Sequence, residues 1–417
     1  MNSPRLPLLA VLLACSTSSL LQAQTIHLRD RGGVVQADRI LMGNEGVRVI
    51  DDTSSEPALD PGAEPIDSSA DSPVDSGVPA EDSSPNPAEP LGSSTGRLIP
   101  WDQVRLIDGI EDPVLAADWA RWQPVADDLW RARSRLQRGD RARSEPLFER
   151  HFDRIIADPA GSELALIVAE GLLRSRLRSG AIEALLPAAL ETVRLRRAGF
   201  STDRYQDLPA VLDEEFWLVP RLAPIPTRTD LDGSSMRRLL ERWIDDPDPV
   251  VAGIARAYAM MHDAPDSFIE NDLLQSATEP GASLLVSAVL TGSSDPDRRA
   301  IARERLDSLL AAGGSLETWR EWFIGVSELR EESGSLDSAL IKLLSIPAVH
   351  LHRDPALAIR AISISADALE HADRADEAEV LRRELDRLDF EVAPALMPED
   401  LATDIPSSGV VPEEETR

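Results

Sequence analysis

The chain has 417 residues, 43 Lys+Arg against 73 Asp+Glu, and a formal net charge of −30. So acidic a chain lacks the basic patch that nucleic-acid backbones and anionic membrane surfaces require. Lys342 is the only lysine, which leaves Schiff-base and P-loop chemistry almost nowhere to sit.

Residues 1–23 have the layout of a secretory signal peptide: Arg5, the apolar run Leu6 to Ala14, and the small residue Ala23 before Gln24. The sole cysteine lies in Leu12-Leu13-Ala14-Cys15, which resembles a bacterial lipobox, so two processing routes stand open. Cleavage at Ala23 leaves a mature chain without cysteine; lipidation of Cys15 leaves an anchored one. No later stretch reaches the 18 or so apolar residues of a membrane span. Either route places the protein outside the cytoplasm, periplasmic or secreted.

Residues 24–110 read as a small β module. Thr25 to Arg29 alternate polar and apolar, and Arg31-Gly32-Gly33 is a turn. Val34 to Met42 form a longer strand, Gly43 to Gly46 a second turn, and Val47 to Ile50 a third strand. Residues 51–96 interrupt the module with ten Ser, eight Pro and eleven Asp/Glu, and no Lys, Arg or aromatic residue. That composition buries too little apolar surface to offset the entropy of ordering, and predicts a disordered linker. Arg97 to Pro100 and Val104 to Ile107 then give two more strands around a Trp101-Asp102-Gln103 turn. Two or three strands alone are marginal, so both sides of the linker are expected in one sheet. The layout resembles an SH3-like or Sm-like barrel.

Residues 111–389 read as helices throughout. Apolar positions recur with helical spacing at Leu129, Ala132 and Leu136, at Phe148, Phe152 and Ile155, and at Ala165, Val168 and Leu172. The pattern continues at Ile182, Leu185, Ala189 and Val193, then at Ile359, Ile362, Ala366 and Leu369. Asp246-Pro247, Asp295-Pro296 and Asp354-Pro355 each place a capping carboxylate before a proline at the first helical position. Residues 390–417, with seven acids against one Arg, read as a disordered tail.

Small residues twelve positions apart, followed four later by a bulky one, occur at Ala132, Ser144 and Phe148 and again at Ala169, Ala181 and Leu185. Ala366 and Ala378 repeat the pair, with Arg382 in the bulky position. This spacing resembles the tetratricopeptide (TPR) repeat, whose unit is about 34 residues. The resemblance implies an irregular α-solenoid of stacked hairpins in which Ala132 and Ala169 face a neighbouring helix, and whose concave surface holds a partner protein. Arg131 and Arg174 are expected to face solvent. Asp246 to Val251 with Ala255 also resembles the start of a HEAT-type helix. The proline-rich Leu218 to Pro226 stretch is expected to join two sub-blocks.

Chemistry is sparse. No nucleophile elbow, Walker loop or dinucleotide turn occurs. His350-Leu351-His352, in an expected inter-helix loop, is the only close histidine pair, and Asp354 the only nearby further ligand, too few for zinc. Asp230-Leu231-Asp232-Gly233 is half of a calcium loop and reads better as a turn before a helix at Ser234. Trp119 with Trp122 and Trp319 with Trp322 pair indoles three positions apart on one helix face. Exposed, they can grip a peptide or stack on a sugar; buried, they are core. The expectation is an exported interaction or scaffold protein with no catalytic, metal or cofactor site. The alternative is an all-helical carbohydrate-binding protein or enzyme using acidic residues and the tryptophan pairs.

Overall fold

The computed structural model describes residues 24–29, 33–50, 96–177, 181–225, 229–261, 279–310, 314–331 and 336–396. Cys15 and the rest of the leader, Arg31 and Gly32 of the first expected turn, residues 51–95 and residues 397–417 lie outside them. The chain is mainly helical, with antiparallel sheet near its start. It divides into two compact units, 1–126 and 127–417.

In the first unit six strands form two three-stranded sheets rather than one. β1 (Gln24–Leu28) lies between β2 (Val34–Ala37) and β6 (Val104–Asp108), and β4 (Gly46–Ile50) lies between β3 (Arg39–Met42) and β5 (Arg97–Pro100). The long strand expected over Val34 to Met42 is broken at Asp38, and its halves go to different sheets. Alternation explains the break: Ala37 and Ile40 are both buried, three apart, and a straight strand would send them to opposite faces. The strands after the linker also divide, β5 pairing with β4 and β6 with β1. At Gly46 a Cβ would stand 2.1 Å from the Ile99 carbonyl oxygen, so β4 approaches β5 there only because the residue is glycine. Ile26, Ile40, Val47, Ile99 and Val104 form the core with Trp101, which sits in a single 3₁₀ turn, Trp101–Gln103.

Eleven of the twelve helices among the described residues begin in the second unit. The first, α1 (Pro113–Gln137), crosses the division. Then come α2 (Arg141–Ile156), α3 (Glu163–Arg176), α4 (Ile182–Arg197), α5 (Gly233–Ile244), α6 (Pro249–Ala259) and α7 (Pro280–Leu290). The last are α8 (Pro296–Leu309), α9 (Glu317–Leu329), α10 (Leu336–His350), α11 (Pro355–His371) and α12 (Ala375–Leu396). From α2 onward each helix packs on the next in sequence.

Local chemistry sets the helix ends. Gly139 adopts φ +84°, and Asp140 then caps α2 by accepting from the Arg143 amide. Asp295 and Asp354 cap α8 and α11 ahead of Pro296 and Pro355, as expected. Asp246-Pro247 does not start a helix. Asp246 accepts from the Asp248 amide at 2.9 Å in a turn, and Asp248, followed by Pro249, caps α6 two residues later. α12 runs to Leu396, past the expected start of the tail, because the sequence from Leu388 to Leu396 stays rich in apolar helix-compatible residues. The helical run also breaks between α4 and α5, where Pro209, Pro220 and Pro224 withhold amides. That segment packs all the same, burying Tyr205, Phe216, Leu218, Val219 and Leu222.

Ala132, Ser144, Phe148 and Ala169 are fully buried, and Ser144 Oγ lies 2.7 Å from Ser175 Oγ of α3. Arg382, in place of a bulky apolar residue, pairs with Glu370 at 2.6 Å. Arg174 does not face solvent. It is buried and donates from Nε (2.9 Å) and Nη2 (2.7 Å) to Glu170 Oε1, whose other oxygen accepts from Arg196 at 2.7 Å. Arg131 is exposed. Ala132→Leu is therefore expected to cost about 1–3 kcal/mol by overpacking, against no more than about 0.5 kcal/mol for Arg131→Leu. Urea melts giving both substitutions the same midpoint would remove the close approach inferred at Ala132.

Candidate functional site

The tryptophans are core residues. Trp119 and Trp122, on the first turns of α1, stack on Trp101 with centroids 6.1 and 5.3 Å apart and interplanar angles of 25° and 11°. Trp101 Nε1 donates to the Gly43 carbonyl at 2.9 Å, which satisfies the one polar atom of a fully buried ring. In the second unit Trp319 is fully buried, donates to the Pro220 carbonyl at 2.6 Å and meets Phe323 edge-on, while Trp322 is 4 % exposed. None of the four offers a ring face to a sugar or peptide, so the ligand-contact reading of Trp119, Trp122, Trp319 and Trp322 is set aside. Leu115, Phe323 and Val326 on the same helix faces were the sequence signal for burial.

His350 is the last residue of α10 rather than a loop residue; it is buried, with Nε2 3.6 Å from Glu317 Oε2, and His352 is exposed. Asp232 is the N-cap of α5 and accepts from the Ser235 amide at 2.7 Å; this bond chiefly holds its carboxyl below the usual range. Among the described residues no three His, Cys, Asp or Glu side chains gather as a metal site. No described helix is long and apolar enough to cross a membrane.

Two buried histidines link stability to pH. His151 Nε2 lies 3.0 Å from Asp128 Oδ2, which also accepts from Arg150 at 2.6 Å. Burial lowers the His151 pKa more than Asp128 raises it, with Arg154 and Arg150 adding to the depression, and burial lowers that of His350 likewise. Both are neutral in either state above about pH 6.5. Below that the unfolded chain takes up protons first, so stability falls as pH drops toward the depressed folded values. Denaturant melts from pH 7 to 5 are expected to show this fall, with a smaller slope in His151→Gln. An unchanged slope would remove His151 from the account.

The most distinctive surface is a trough of about 710 Å³ between α10 and α12. Its floor is Leu340 and Leu369, packed with Ala378, and its sides are the half-buried Leu344 and Leu381. Ile341 and Val380 stand on its edges, 73 % and 58 % exposed. Together with the floor they give an apolar surface shared by two helices. One end is polar. Arg374 spans it, donating to Asp337 at 2.6 Å and to both oxygens of Glu377 at 2.7 and 2.5 Å. These bonds keep the guanidinium firmly protonated and hold the Glu377 carboxyl below its usual range. Sequence reasoning missed the trough. The signal was present in Leu340-Ile341 and Val380-Leu381, adjacent apolar pairs of which one helix face can bury only one member.

Comparison with protein-family models, with curated proteins and with solved structures finds no match to this chain.

Proposed function

We propose that this chain is an exported scaffold without catalytic chemistry or cofactor, an irregular TPR-like α-solenoid joined to a small SH3-like or Sm-like barrel. Packing of each described helix from α2 onward on its neighbour in sequence supports the solenoid. The barrel reading rests on the order of pairing: β6 to β1 to β2, through Asp38 into β3, β4 and β5, and back to β6 by one 3₁₀ turn. The leader sequence supports export, with anchoring through Cys15 as the second route.

The trough carries the functional reading. Its width between two helices and its apolar floor suit an amphipathic helix of a partner protein, laid in as a third helix. The test uses the mature chain as bait in envelope extract, alongside Ile341→Asp/Val380→Asp and a control, Ile301→Asp, at an exposed site on α8. A protein retained by wild type and Ile301→Asp but lost from the trough variant supports the reading. Equal retention by all three overturns it.

A further inference from the structure

A second concavity in the helical unit, of about 460 Å³, is built differently. Arg221 fixes its shape, donating from Nε to the Arg353 carbonyl at 2.7 Å and from Nη1 to the Leu177 carbonyl at 3.3 Å. Trp319 ties Pro220 to α9 at 2.6 Å. Segments far apart in sequence are thus pinned around one space by hydrogen bonds to buried or half-buried donors, so the pocket is preformed. Its volume lies within the roughly 300–1,000 Å³ of small-molecule sites.

One wall is aliphatic: Leu177, Pro209, Val211, Val219 and Pro220. The other is polar. Thr318, in the first turn of α9, lines it, is 4 % exposed, and has a hydroxyl with no hydrogen-bond partner among the described residues. The N-cap of α9 is Leu316, which offers no side-chain acceptor; the Glu317 and Trp319 amides donate to the Gly314 and Leu316 carbonyls, which leaves the Thr318 amide. The N-terminus of α11 reaches the same wall through Asp354, whose carboxylate is engaged by the Leu357 amide at 3.0 Å. Arg353 beside it carries no ion pair among the described residues. The Thr318 amide and hydroxyl and the exposed Arg353 thus border one space without an anionic acceptor.

We propose that this pocket binds a small aliphatic carboxylate, its hydrocarbon against Pro209, Val211 and Val219 and its carboxylate facing Thr318 and Arg353. The aliphatic wall holds no aromatic ring for a planar ligand to stack on. Asp354 at the polar wall disfavours a dianion more than a monoanion, which selects carboxylate over phosphate.

The test titrates the full chain with 4-methylpentanoate, 4-methylpentanamide and isopentyl phosphate, followed by ligand-observed NMR. The acid is expected to bind saturably and the neutral amide about tenfold more weakly, since the charge-assisted contacts are lost. Arg353→Gln, an exposed substitution, is expected to weaken the acid about tenfold, and Thr318→Val by a smaller factor, while Ile341→Asp in the trough leaves it unchanged. Equal binding of acid and amide, tighter binding of the phosphate, an unaffected Arg353→Gln, or no saturable binding of the acid would each overturn the proposal. Failure here leaves the trough reading standing, because the Ile341 variants test that separately.

Discussion

Glu170→Gln is expected to be among the most damaging single substitutions in the helical unit, lowering stability by about 3–5 kcal/mol. Glu170 is fully buried, and its two oxygens hold the guanidinium groups of Arg174 and Arg196, which come from α3 and α4. Arg174 also reaches the Pro209 carbonyl at 2.7 Å, so the carboxylate anchors the irregular segment after α4 to the helices beneath it. The amide keeps the shape but removes the charge, and Arg174, 7 % exposed, is left without its counter-ion. A paired change to apolar residues, Glu170→Leu with Arg174→Met, is expected to cost clearly less than Glu170→Gln, because it leaves the buried side of the pair with no orphaned charge. Equilibrium urea melts decide between these. A Glu170→Gln midpoint within error of wild type would show that the network is solvated in solution.

Gly171→Ala is expected to cost about 3 kcal/mol, at the upper end for overpacking. A Cβ at position 171 would stand 2.4 Å from Phe148 Cζ and 2.5 Å from Tyr205 Oη. Neither can move freely. Phe148 is fully buried, and the Tyr205 hydroxyl donates to the Ile167 carbonyl at 2.7 Å. Shortening the ring should relieve part of the conflict, so Gly171→Ala measured in a Phe148→Leu background is expected to cost less than in wild type. Additive losses in that double-mutant cycle would mean that the two sites do not touch.

These two positions show what the chain disclosed and what it hid. Phe148 was legible as an inward residue because Ala132, Ser144 and Phe148 keep a fixed spacing. Gly171 follows in an apolar helix, and nothing in the linear pattern says that a ring from the preceding helix fills the space above it. Arg174 was misread for a related reason. Periodicity reports where apolar side chains go and treats every charge as outward, yet a long guanidinium can turn inward when a buried carboxylate waits one turn earlier, at Glu170. Helix starts were legible wherever one Asp-Pro stood alone. In Asp246-Pro247-Asp248-Pro249 two candidate caps compete, and the choice depends on which aspartate can accept from a first-turn amide in three dimensions. The strands were found except that Val34 to Met42 read as one, and the division into two sheets turned on the bend at Asp38 between its halves. The trough and the pocket were least legible, because both are spaces between elements.

The pairing of β1 with β6 has a consequence for the order of events during folding. Thr25 faces Asp108, and Val49 faces Arg97 across the intervening acidic segment. The β1–β2 and β3–β4 hairpins pair locally, but neither sheet is complete until its strand from beyond that segment, β6 or β5, has emerged and a long loop has been closed. From α2 onward each described helix packs on the one before it, so contacts accrue at every step, and bonds such as Trp319 to Pro220 and Arg221 to Arg353 follow. The helical unit is expected to form quickly and the strands to lag behind it. Trp101, whose indole is stacked and hydrogen-bonded only once β4, β5 and α1 are together, reports that lag directly. In stopped-flow refolding the slow fluorescence phase should shrink in Trp101→Phe, where Trp119 and Trp122 still report it, while the fast rise in far-UV ellipticity persists; a single shared rate for both signals would mean that the two units fold as one.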